Sequence, residues 1–120
     1  MSKGAGSKGQ LLDLYTWAKV ADDTVAFRKF LMDSRDSINR KLGKIENDGI
    51  YTGGHSGDLM DAFKAYVKTL TEISDQLDII RKMLHNAGED LIKTTQANAA
   101  TEEVKVEAAK MEKNLALLED

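Results

Sequence analysis

Ten apolar residues recur through the second half of this chain at alternating steps of four and three: Leu59, Phe63, Tyr66, Leu70, Ile73, Leu77, Ile80, Leu84, Ala87 and Leu91. That spacing puts all ten on one side of an α-helix, and sustained over four heptads it is the pattern of a helix–helix seam. The chain contains no proline, so the commonest helix breaker is absent and an almost wholly helical fold is expected.

The first half carries a second stripe. Between Gln10 and about Asn47 the apolar positions are Leu11, Leu14, Ala18, Ala21, Val25, Leu31, Ile38, Leu42 and Ile45, with Lys19, Asp22, Asp23, Lys29, Asp33, Asp36, Arg40 and Lys44 supplying a solvated face. Between the two runs lies DGIYTGGHSG, Asp48 to Gly57, which holds four of the nine glycines. Glycine tolerates positive φ and disfavours helix continuation, so the backbone is expected to reverse there. Two helices, about 10–47 and 56–97, would then fold back as an antiparallel hairpin. A register with a nearly constant position sum supports it, pairing Ile45 with Leu59, Leu42 with Phe63, Ile38 with Tyr66, Leu31 with Ile73 and Leu14 with Leu91. The same register sets Trp17 beside Ala87 and Gly88, where Gly88 either receives the indole or is a tolerated surface glycine.

After Leu91 the sequence turns polar and small, then resumes a weaker stripe at Val104, Ala108, Met111, Leu115 and Leu118. Thr101 before Glu102 and Glu103 reads as an N-cap with acidic first-turn residues. In the hairpin register residue 101 lies opposite residue 4, so the last twenty residues are expected to overhang, as a mobile tail or an element that docks elsewhere. The expected organisation is an arm at 1–9, a hairpin at 10–97 and a partly helical tail at 98–120. One hairpin leaves surplus apolar side chains: Val20, Phe27, Phe30 and Met32 on the first helix, Met60, Val67, Ile79 and Met83 on the second. Such a strip marks a partner interface, and two hairpins packed as a four-helix bundle would cover it. The partner is expected to be a second copy or another helical hairpin.

The formal net charge of −3 argues against a nucleic-acid partner, which would need a basic stripe. There is no cysteine, and the two histidines, His55 and His85, stand in no metal-ligand or catalytic spacing. No serine has a His base with an acid partner, so neither an enzyme, a metal site nor a cofactor is expected. MSKGAGSKGQ is not followed by the apolar region of a secretory signal, and no uncharged run approaches the roughly 18 residues that span a bilayer, so membrane insertion is not expected.

Layout and turn together resemble the WXG, or ESAT-like, family of small helical hairpins exported by type VII secretion. That family places Trp-x-Gly between two long helices. Here Tyr51-Thr52-Gly53 stands in that place, Ser56-Gly57 opens the second helix, and Leu59 and Ala62-Phe63 follow. The tryptophan is replaced by Tyr51, and the family's C-terminal Tyr-x-x-x-Asp/Glu signal is reduced to its spacing at Leu115 and Glu119. The resemblance implies a non-enzymatic secretion substrate or accessory protein of a Gram-positive system. It would be cytoplasmic before export and then secreted or surface-bound. It would be paired with itself or with the N-terminal domain of an LXG toxin, as the partner that lacks the signal. The alternatives are a cytoplasmic structural or regulatory bundle protein and a needle-type secretion subunit.

Overall fold

The computed structural model describes residues 6–48 and 56–119. Among them there are four helices and no strand: α1, Ser7–Asp48; α2, Ser56–Ala97; α3, Glu102–Lys110; and α4, Glu112–Glu119. The two long helices match the expected spans, α2 at both ends. The candidate turn residues Tyr51 and Gly53, and His55 with them, lie outside the described residues. The start of α3 is as its sequence dictates. Thr101 adopts an extended backbone, φ −141° and ψ 163°, and its hydroxyl oxygen accepts from the Val104 amide at 3.3 Å. Glu102 and Glu103 sit in the first turn and Lys110 in the last, each complementing the helix dipole.

The chain divides into two compact units, one of Met1–Ala26 with Asp78–Asp120, the other of Phe27–Leu77. In the first, α1 and α2 run antiparallel: Gln10 bonds Asn98 and Ala100, while further along α1 the Trp17 indole donates to the Leu84 carbonyl at 2.9 Å. Its core comprises Leu14, Trp17 and Ala21 from α1, Ile92 from α2, and Ala108, Met111 and Leu118 from the C-terminal segment. The C-terminal residues therefore do not overhang. The chain turns after α2, and α3 and α4 pack back on the pair, burying Val104 and Ala108 completely. Burial of a side chain the size of Val, Leu or Met is worth about 1.5–3 kcal/mol. The weak apolar stripe from Val104 to Leu118 is thus a core-facing stripe, and the hairpin register misled because it assumed that the chain continued straight beyond Leu91.

Among its described residues the second unit has α1 and α2 alone. They too run antiparallel, with a Lys64–Glu46 ion pair of 3.4 Å near one end and Leu31, Leu70 and Leu77 clustered at the other. That cluster of three leucines, with buried Leu42, is a thin core for the parts of α1 and α2 that this unit holds.

The seam on α2 is turned relative to the expected one. Its buried positions are Leu70, Ser74, Leu77, Arg81, Gly88, Ile92 and Thr95, whereas Tyr66, Ile73 and Ile80 are 46%, 38% and 47% exposed and Ala87 is also exposed. One row of the heptad, Phe63, Leu70, Leu77, Leu84 and Leu91, is shared by both readings. The other row moves by one residue, from Tyr66, Ile73, Ile80 and Ala87 to Val67, Ser74, Arg81 and Gly88. In this way polar and small residues enter the seam and isoleucines leave it. On α1 every stripe residue from Leu11 to Ile45 is buried or half-buried, as the spacing implies.

Candidate partner-binding face

Among the described residues, the turned seam leaves one largely apolar face of unit 2 uncovered. On α2, Leu59, Ala62, Tyr66, Thr69, Ile73 and Gln76 repeat at steps of three and four, all exposed and none charged. Each lies one residue before a seam position or the next step round. On α1 the equivalent offset is held by Phe27, Phe30, Ser34 and Ser37. In an antiparallel pair, residues displaced to the N-terminal side of the seam on both helices fall on the same face. The structure bears this out, because Asp33, Ser34, Ser37 and Ile38 line one shallow depression with Tyr66. One heptad along each helix, Phe27 and Phe30 take the places of Ser34 and Ser37, and Ile73 takes that of Tyr66. The phenyl rings of Phe27 and Phe30 stack with centroids 6.5 Å apart and 13° between planes, and Phe30 is 59% exposed. One charge borders this face: Asp33 lines the same depression, and its bond of 2.7 Å to Lys29 holds that lysine above its ordinary pKa.

Of the eight candidate interface residues, Phe27 and Phe30 lie on this face. Met60 and Val67 are half-buried along the seam of unit 2, and Met32 is half-buried beside it. Val20, Ile79 and Met83 belong to unit 1, where all three are exposed; Ile79 points away from the seam, being two residues from both Leu77 and Arg81. The eight do not form one cluster. Leu59, Tyr66 and Ile73, assigned by periodicity to the seam, are the residues that periodicity missed as surface. A signal was present: Gly88 opposite Trp17 is a seam position, and steps of seven back from it give Arg81, Ser74 and Val67.

No protein-family model, curated protein or solved structure matches this chain. The site is read from its own chemistry.

Unit 1 has a cleft of about 530 Å³ whose wall includes Arg81, Lys82, His85 and Glu119. Two of its polar side chains, Arg81 and His85, are engaged. Arg81 is 7% exposed and donates to Asp78 Oδ1 and to the Leu118 carbonyl, both at 2.9 Å, while His85 Nε2 lies 2.9 Å from Glu119 Oε1. Leu115, the other residue of the degenerate signal, packs against the unit 1 core. These contacts tie α4 down. Among the described residues no three His, Asp or Glu side chains come together as metal ligands, and no helix is long and apolar enough to cross a membrane.

Proposed function

We propose that this chain is a non-enzymatic helical partner protein of type VII secretion, a substrate or accessory subunit that pairs with another helical hairpin to make an export-competent complex. The observation that carries the pairing is the uncovered face of unit 2. Unit 1 covers its two-helix core with α3 and α4, while the described residues of unit 2 offer no such cover for Phe27, Phe30, Tyr66 and Ile73. An apolar patch of that extent on a helix pair is the ordinary mark of a docking surface for further helices. The secretion part of the reading rests on the resemblance of the Tyr51-Thr52-Gly53 segment and its flanking helices to the WXG pattern. Loss of export on deleting the secretion ATPase is the expected result. Unchanged export without that ATPase would remove type VII secretion from the proposal.

One observation favours a second reading, a structural or regulatory helical protein that stays in the cytoplasm. Leu115 and Glu119 are engaged by the body of the chain, through the core and His85, and are not presented as a free signal. The two readings separate on substitution of Tyr51 and Gly53. Export or partner assembly fails in folded protein under the first, and only stability changes under the second.

A further inference from the structure

We propose that α4 is a lid: it opens on its own about Met111 while α3 stays docked, and its movement sets access to a groove along α2 in unit 1. The inference concerns unit 1 alone and stands apart from the partner-binding reading of unit 2.

The helix breaks at Met111. That residue caps α3, and its amide is shared between the carbonyls of Glu107 and Ala108 at 3.1 and 3.2 Å, the bifurcated pattern of a helix end. Before the break, α3 is held by the Thr101 cap and by Val104 and Ala108, both fully buried. Beyond it, α4 buries one large apolar side chain, Leu118, with Leu115 half-buried against the core.

Two polar atoms oppose that burial. Arg81 Nε, in the guanidinium that reaches Leu118, and Asn114 Oδ1, on α4 itself, are buried without a hydrogen-bond partner, and they are the side-chain atoms in that condition among the described residues. The penalty for an orphaned polar group is of the same size as the gain from burying a leucine, so closure of α4 is close to balanced. Opening relieves both atoms. Arg81 keeps its ion pair with Asp78, a neighbour on α2, and gives up only the bond to the Leu118 carbonyl while water reaches the guanidinium. Asp22, which accepts from Asn114, is exposed and takes water in its place. The remaining tie joins His85 to a Glu119 carboxylate that is 63% exposed, and a bond so far into solvent holds weakly.

Two clefts flank that tie. The one of about 530 Å³ follows α2 from Asp78 to Asn86, a second of about 350 Å³ follows it from His85 to Gln96, and both are bounded by His85 and Glu119. With α4 closed, the His85–Glu119 bridge divides them. With α4 raised, they become one groove along α2, and Arg81 lies open at its floor.

Native-state hydrogen exchange on the full chain, read residue by residue in low urea, tests the lid. Amides of 115–119 should share one opening constant, at least tenfold larger than that of 106–110, with a weaker urea dependence than global unfolding. Asn114→Leu replaces the orphaned amide with an apolar side chain of similar size and should slow exchange across 115–119 at least fivefold. Four results would overturn the proposal: protection that falls off residue by residue toward 119, as simple end fraying gives; α3 and α4 opening together; exchange of 115–119 only through global unfolding; or exchange there that Asn114→Leu leaves unchanged or speeds.

Discussion

The indole of Trp17 occupies the space that a side chain at position 88 would need. A Cβ added to Gly88 would fall within the ring, only 2.6 Å from Nε1 and closer still to Cζ2 and Cε2, while Nε1 donates to the Leu84 carbonyl one turn away. The approach of α1 to α2 in unit 1 is set by this contact.

Gly88→Ala should therefore destabilise the fold by about 1–3 kcal/mol, since overpacking and the displaced indole outweigh the roughly 1 kcal/mol of helix propensity gained. Gly43→Ala meets no atom within 4 Å and should do the reverse, stabilising by about 0.5–1 kcal/mol. Urea unfolding of both variants measures the difference, and the opposite signs are the point of comparison.

Arg81 links α2 to the end of α4, yet its Nε is buried without a hydrogen-bond partner. Arg81→Ala should cost about 1–3 kcal/mol and raise amide exchange in 112–119, because the Leu118 carbonyl loses its donor and a cavity is left. Arg81→Met fills the volume without burying a charge and should cost less than the alanine variant.

Thr101→Ala removes the cap of α3 and should cost about 1 kcal/mol, seen as fraying of residues 102–105 in hydrogen exchange. Ending the chain at Ala100 goes further. It removes Ala108, Met111 and Leu118 from the core cluster that holds Trp17, so the tryptophan emission should shift to the red and Tm should fall.

Phe30→Ser changes a ring that is already mostly in water, so its effect on monomer stability should stay within about 0.5 kcal/mol. Its effect on assembly should be larger, and a sedimentation series beside unfolding curves separates the two.

Most of the fold was legible in the sequence, because absent proline and strict heptads leave few alternatives to long helices. The cap at Thr101 and the meeting of Trp17 with Gly88 were legible for the same reason, being local or set by register. The rotation of α2 was not. Hydrophobicity ranks Ile73 and Ile80 above Ser74 and Arg81 as seam residues, and the order is inverted in space. Arg81 spends its donors on Asp78 and Leu118, and Asn114, also buried, donates to Asp22 Oδ1 at 2.9 Å. Leu118 and Asn114 belong to the C-terminal segment, which a two-helix register leaves out. A buried polar residue is explained by its acceptors, and one of the two that Arg81 uses lies thirty-seven positions away.

The docking of α3 and α4 also sets an order on synthesis. Leu14, Trp17 and Ala21 leave the ribosome early, and α2 supplies one wall for them, but the residues that close over them follow some ninety positions later. Until 104–118 emerge, the nascent chain presents an open greasy groove along α1 in unit 1. It is in that interval, before the chain has closed its own core, that the protein is most exposed to chaperones and to mispairing with its neighbours on the same message.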